Sequence, residues 1–322
     1  MDAPTKNSRW DRKPRLVNGK PAVRRVTPTV IEVLKLLHRF RYLQSNDIHA
    51  WVGGHYDNIR KLLNGINDEP YCWVDRPHQQ RENADANYTH LVYSLDTAGA
   101  TILEQIGMPE WERKRHDNFI HELMLNRIMF SLHLGLRTAD ARFISWEDMC
   151  AKMPQYTLDS KYPAQLPYEF TLKDGEVVKA NLAADGMPFG ISTESGYFFA
   201  PGIEADNHTE PLRAEDYKRS SWKKKFMGYL DIIESETYRK RWGVPSFYVP
   251  CFFPTVSRKN SVMRLLGEMT AKTPKLRMHF LFKVFPTLTT FGGQAPATGH
   301  VFTEAFERVE YEPLKLSGEE VV

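Results

Sequence analysis

The stretch SNDIHAWVGGHYDNIRKLLN, residues 45–64, decides the reading of the first third of the chain. Ser45 is a good helix N-cap, because its hydroxyl can accept a bond from an otherwise unpaired backbone N–H. A short helix over 46–52 follows. Gly53-Gly54 ends it, since glycine is costly inside a helix and at ease in the left-handed turn that closes one. The spacing of Ile59, Leu62 and Leu63 predicts a third helix over 55–64, with Tyr56, Asn58, Arg60 and Lys61 outward. Two short helices joined by a tight glycine turn make a helix-turn-helix.

The flanks extend this reading. Thr27-Pro28 is a cap followed by proline at the first helical position, and Val30, Val33, Leu34, Leu37 and Phe40 recur at helical spacing. Residues 41–44 read as a link. After the third helix, residues 71–74 and 88–93 read as two strands around the polar segment 77–87, a hairpin with a long tip, or wing. Asp96 then caps a fourth helix carrying Ala100, Ile102, Leu103 and Ile106. That helix either covers the domain or forms the seam of a homodimer. Residues 27–110 are thus expected to form a winged helix-turn-helix whose partner is double-stranded DNA. In that arrangement the third helix enters the major groove. Arg60 and Lys61 are its candidate phosphate or base contacts, Asn58 its adenine reader, and Tyr56 lies on the same helix. Arg76 and Arg81, in the wing, are candidates for backbone phosphates or a minor groove. A protein-binding adaptor is the alternative, because winged helices also serve that role.

Residues 1–26 are expected to be a flexible basic arm. Lys6, Arg9, Arg12, Lys13, Arg15, Lys20, Arg24 and Arg25 face only Asp2 and Asp11, among prolines and a glycine. Arg24 and Arg25 are the arm residues nearest the first helix and join the candidate DNA contacts.

A second domain is expected over 115–289. The charged stretch 110–115 precedes a long helix over 116–135. A strand follows at 143–146, then a hairpin across Lys173-Asp174-Gly175, a strong turn signal. Residues 187–191 and 197–205 form another hairpin. A basic helix over 220–241, a strand over 247–253, a helix over 257–269 and a strand over 278–285 complete it, with 290–322 a C-terminal extension. This order of helix, mostly antiparallel strands, helix and strand matches restriction-endonuclease-like nucleases. The fold class is therefore α+β, a winged helix followed by an α/β domain with a mixed sheet. Glu204 and Asp206, two apart on a strand, share one face, and Asp185 can join them across the hairpin. Converging carboxylates suit Mg²⁺, which could activate water on a phosphodiester. Glu122, on the long helix, is a fourth candidate metal ligand. The lysine that an active PD-(D/E)XK site carries two residues after the glutamate is here Asp206; Lys224 or Lys225, on the next helix, could replace it.

The order of these blocks resembles the replication-relaxation family of bacterial plasmids and other mobile elements over about Thr27 to Phe285. The blocks include Ala184-Asp185-Gly186, the run from Phe198 to Glu210, and the helix with Ser221-Trp222-Lys223-Lys224-Lys225 and Tyr229. The resemblance implies a DNA-associated role in replication, transfer or transcriptional regulation, with a degenerate nuclease-like domain. A Mg²⁺-dependent DNA endonuclease is the alternative.

Composition narrows the rest. The net charge of +3 is modest, and no stretch is long and apolar enough for a membrane span. The start of the chain lacks a secretory signal's apolar core, and Cys72, Cys150 and Cys251 form no CxxC pair, so a cytoplasmic setting is expected. No GxxxxGK[ST] or GxGxxG occurs, which argues against a nucleotide cofactor. His121-Glu122 is followed by Leu125, so HExxH fails.

Overall fold

The computed structural model describes residues 12–14, 16–21, 24–81, 90–111, 119–171, 175, 177–206, 210–214, 219–285 and 298–317. The chain divides into two units, residues 1–130 with 290–298 and residues 131–289 with 299–322. Helices and a mixed sheet are both present, and among the described residues no helix is long and apolar enough to cross a membrane.

The first unit contains β1 (Leu16–Val17), β2 (Lys20–Pro21), α1 (Pro28–Phe40), β3 (Leu43–Gln44), α2 (Ser45–Val52), α3 (Tyr56–Asn67), β4 (Val74–Asp75), β5 (Val92–Leu95), α4 (Thr97–Gln105) and the first part of α5 (Phe119–Leu136). Thr27 caps α1 as expected, its Oγ accepting from the Val30 N–H. Val30, Val33, Leu34, Leu37 and Phe40 are all buried. Residues 43–44 are not a mere link. They form β3, which pairs antiparallel with β5, Leu43 opposite Tyr93, while β4 pairs with the other edge of β5. The cap of α2 is correspondingly Gln44 rather than Ser45, because the chain leaves the sheet one residue earlier; Asp47 Oδ2 accepts the Gln44 N–H at 3.2 Å. α3 continues past Asn64 to Asn67. Arg127 on α5 donates Nε and Nη2 to the two oxygens of Asp47 on α2 at 2.9 and 3.1 Å, with both side chains out of solvent.

The base of the expected wing is held by a side chain. Gln80, on a 3-10 turn over His78–Arg81, donates Nε2 to the Val92 carbonyl and accepts the Val92 N–H, at 2.9 and 3.0 Å. Residues 82–89, within the expected wing tip, lie outside the described residues, as do most of the expected arm and residues 112–118, which include part of the charged stretch 110–115. Part of the expected arm is described. β1 and β2 form a hairpin around Asn18 and Gly19, both at positive φ (52° and 74°), the conformation an Asn-Gly turn favours. Pro14 bridges Glu69, and the Glu69 N–H donates to the Lys13 carbonyl at 3.1 Å.

The second unit contains the remainder of α5, β6 (Ala141–Ile144), α6 (Trp146–Cys150), α7 (Gln155–Leu158), β7 (Leu166–Thr171), β8 (Val177–Leu182), β9 (Phe189–Thr193), β10 (Gly196–Ala200), β11 (Glu204–Ala205), α8 (Trp222–Glu234), α9 (Thr237–Trp242), β12 (Val249–Phe253), α10 (Val256–Met269), β13 (Phe280–Val284), α11 (His300–Thr303), β14 (Phe306–Arg308) and β15 (Tyr311–Leu314). One sheet runs β11-β12-β13-β14-β15, parallel from β11 to β13 and antiparallel beyond. The continuous apolar run of β12 is buried at every position, as a central parallel strand requires. A second sheet runs β10-β9-β6, antiparallel throughout, and β7 pairs with β8. The core gathers around α8, β12 and β13 and includes Trp222, Phe226, Tyr229, Phe247, Phe253, Phe280 and Phe282.

Several boundaries differ from expectation, among them the strand expected over 197–205, which is β10 in one sheet and β11 in another. The strand expected over 143–146 is β6, ending at Ile144, because Ser145 and Asp148 form a reciprocal cap that starts α6. The basic helix over 220–241 is two helices, broken at Glu236, whose φ of 53° is left-handed. Residues 299–317 are no appendage: β14 and β15 extend the main sheet, burying Phe306, Leu314 and Leu316.

Candidate nucleic-acid interface and carboxylate site

α3 buries Ile59, Leu63 and Ile66 and leaves Asn58, Arg60 and Lys61 exposed. Its start is fixed by His55, whose Nδ1 accepts the Asp57 N–H. Arg60 pairs with Asp57 one turn back at 3.0 Å, with both side chains about half exposed, an arrangement that contributes little to folding. Tyr56 is more constrained: its hydroxyl lies 2.8 Å from Ser45 Oγ and 3.0 Å from His90 Nδ1, joining α3 to α2 and to the segment that leads into β5. Burial pushes the His90 pKa below its ordinary value, Asp47 opposing and Arg127 assisting.

The other candidate contacts divide. Arg76 is not an outward wing cation. It is buried, donates to Asn64 Oδ1 at 2.5 Å and to the Tyr93 hydroxyl at 3.4 Å, and lies against the Tyr93 ring. Arg76 follows β4 directly, and its bonds join Asn64 of α3 to Tyr93 of β5. The backbone of Arg81 closes the 3-10 turn, and its side chain lies outside the described residues. Arg25 is exposed, while Arg24 is half-buried against Gly65 of α3.

In the second unit, an antiparallel bridge between Asp185 and Ile203 brings Asp185 beside β11. Gly202, at a φ of +136°, permits that approach; a Cβ there would sit 2.6 Å from the Asp185 carbonyl oxygen. Asp185 Oδ2 accepts the Ala205 N–H at 3.0 Å. Glu204 and Asp206 do share a face, as their spacing requires, and that face is met by α8. Trp222, Lys225 and Tyr229 stand at i, i+3 and i+7, one stripe of a helix. Tyr229 donates to Glu204 Oε1 at 2.5 Å and Lys225 Nζ lies 2.6 Å from Glu204 Oε2. Trp222 Nε1 donates to Asp206 Oδ2 at 2.7 Å, and Arg258 Nε, from α10, reaches the same oxygen at 2.7 Å. Lys225 also pairs with Glu210 at 2.8 Å, and Ser220 Oγ donates to the other Glu210 oxygen at 2.6 Å.

Burial is nearly complete: Glu204 is 1% and Asp206 2% exposed. Loss of water pushes the Glu204 pKa up to about 7, and Asp185 adds to the rise against the pull of Lys225 and Tyr229. Burial works against the charge on Lys225, but Glu204, Glu210 and Asp185 outweigh it and raise its pKa. The Tyr229 hydroxyl is raised by burial first and then by Glu204. Of the two candidate lysines, Lys225 is the one bonded to Glu204; the Lys224 backbone N–H donates to the capping hydroxyl of Ser221.

The expected Mg²⁺ ligands fit the ion poorly. Mg²⁺ requires near-octahedral oxygen donors, several of them waters. Here both Glu204 oxygens, Asp206 Oδ2 and Asp185 Oδ2 are engaged by protein donors, and Arg258 and Lys225 already supply positive charge. Among the described residues no group of three or more His, Cys, Asp and Glu side chains is arranged to hold a metal. Glu122 lies on α5 in the first unit, whereas the trio belongs to the second. Sequence reasoning missed Arg258, Glu210 and Ser220 as members of this site. The stripe on α8 was legible from helical spacing, but Arg258 arrives from a helix with no local signal.

No family model matches the chain, and neither a curated protein nor a solved structure does.

Proposed function

We propose that this protein binds double-stranded DNA through its first unit, a winged helix that presents α3 to the major groove, and that its second unit is a nuclease-like fold whose carboxylate site is structural. One observation carries the first part. α3 follows α2 in the order helix, strand, helix, helix, strand, strand, and its outward side carries Asn58, Arg60 and Lys61 in solvent. Those side chains suit adenine edges, guanine edges and phosphates. The engagement of Glu204 and Asp206 by Lys225, Tyr229, Trp222 and Arg258 supports the second part. The resemblance to replication-relaxation proteins suggests replication, transfer or transcriptional regulation of a bacterial plasmid, phage or other mobile element.

The test is duplex binding over a salt series, with cleavage followed in parallel with and without Mg²⁺. Binding should weaken steeply with salt. Arg60→Ala and Lys61→Ala should each cost about tenfold in affinity. DNA should stay intact in wild type and in Glu204→Gln alike. Mg²⁺-dependent nicking abolished by Glu204→Gln would replace this reading with an endonuclease. Indifference to duplexes at low ionic strength would favour a protein-binding adaptor. If the protein is a homodimer, its target should be palindromic, with half-sites about one helical turn apart.

A further inference from the structure

We infer that Arg24, seated over Gly65, is part of the DNA-facing surface of α3 and contacts a backbone phosphate one helical turn beyond Lys61. This rests on the duplex-binding reading above. Asn58, Lys61 and Gly65 stand at i, i+3 and i+7 and therefore line one stripe of α3. Asn58 and Lys61 are exposed, yet Gly65, on the same stripe, is buried. The Arg24 guanidinium covers it: a Cβ at position 65 would lie 2.6 Å from Arg24 Cζ and 3.1 Å from its Nη1. Glycine inside a helix sacrifices stability relative to alanine, and here it makes room for a cation delivered from another segment.

Just past the end of α3, the Lys13 N–H donates to the Asp68 side-chain Oδ1 at 3.3 Å and the Lys13 carbonyl accepts the Glu69 N–H at 3.1 Å. Arg12 pairs with Asp75 at 3.3 Å and with Asp96. Arg24 as a residue stays half-buried, while Lys13 and Arg25 are exposed. A planar guanidinium held in place suits a phosphate, which it can bind through two parallel N–H donors. The competing account is structural: a cation near a helix C-terminus also favours the helix itself.

Arg24→Ala, Gly65→Ala and the double variant, in the full chain, separate the two accounts. Duplex affinity is measured over a salt series beside thermal unfolding. Arg24→Ala should weaken binding about tenfold and lower the salt slope by about one released counterion. Gly65→Ala, which displaces the guanidinium, should weaken binding similarly in wild type and not at all in the Arg24→Ala background. A lowered melting temperature with unchanged affinity and slope would overturn the inference, as would an equal loss from Gly65→Ala in both backgrounds. In either case Arg60→Ala and Lys61→Ala would still weaken binding. If those two variants are also silent, or the wild type ignores DNA, the duplex-binding reading has failed instead.

Discussion

The outward side of α3 and the carboxylate site of the second unit are both rich in charge, and they use it in opposite ways. On α3 the partner of Arg60 is Asp57, half exposed and one turn away, and a phosphate could displace it at little cost. Around β11 Glu204 and Asp206 are met by donors from α8 and α10 and are removed from water. The same residue types therefore face solvent in one place and form part of the core in the other. Burial makes the difference, because an unpaired charge is tolerable in water and costly out of it. The first unit repeats the contrast on a smaller scale, between the exposed Arg60 and the buried pair of Arg127 and Asp47.

If burial is what separates these groups, the largest losses should come from removing one partner of a closed pair. Arg127→Met strands the Asp47 carboxylate, which is fully buried, and should cost about 4 kcal/mol of folding stability, seen as a large drop in the urea midpoint. Lys225→Met should cost somewhat less, about 3 kcal/mol, since Tyr229 still donates to Glu204. Adding Glu204→Gln to Lys225→Met should recover part of that loss only above about pH 7, where Glu204 would otherwise become a buried carboxylate, and little below it. A Lys225→Met protein as stable as wild type would mean that the site is loosely held and open to ligands, and the contrast with α3 would collapse.

A titration sharpens the same point. The Glu204 carboxyl keeps its proton up to about 7 in the folded protein, against an ordinary value of 4.5. The folded state thus binds more protons than the unfolded chain across that interval, so stability falls as pH rises from 4.5 to 7 and then levels. Lys225, whose pKa is raised, contributes stability that is whole below its ordinary 10.5 and is lost as pH rises beyond it. The difference between wild type and Glu204→Gln should therefore move against wild type by up to about 3 kcal/mol between pH 4.5 and 7. A flat difference curve from thermal unfolding at several pH values would show Glu204 to be solvated.

How far these roles were legible beforehand depends on the range of the interactions. α1, α3 and α4 could be read because caps and helical spacing are local signals: Thr27 and Asp96 cap as expected, and Ile59 and Leu63 point inward. β3 could not, since two residues become a strand only when β5 lies beside them. Residues 299–317 looked like an extension because their partner, β13, precedes them by a stretch of polar and glycine-rich sequence. At the carboxylate site, the shared face of Glu204 and Asp206 followed from strand period alone. What the acids bind did not, because Arg258 reaches Asp206 across fifty-two positions of sequence. Arg76 was misplaced for a related reason: an arginine beside a wing invites a phosphate, and only the packing of Asn64 and Tyr93 turns it inward.

That last residue supplies the finest test of the comparison, because Arg76 and Arg60 are the same side chain in one small unit. Arg76→Ala removes a buried donor from Asn64 and Tyr93 and should cost about 2 kcal/mol in stability. Once the protein is kept below its lowered melting point, the salt slope of duplex binding should be unchanged, since no phosphate contact is lost. Arg60→Ala reverses both readings. Its stability should stay within about 0.5 kcal/mol of wild type, while the salt slope falls by about one counterion. Arg60 gives up only a half-exposed pairing with Asp57, so nothing inside the fold registers its absence. If instead Arg60→Ala destabilised the unit as much as Arg76→Ala, the outward side of α3 would be part of the core, and the distinction between its charges and the buried ones would have no physical basis.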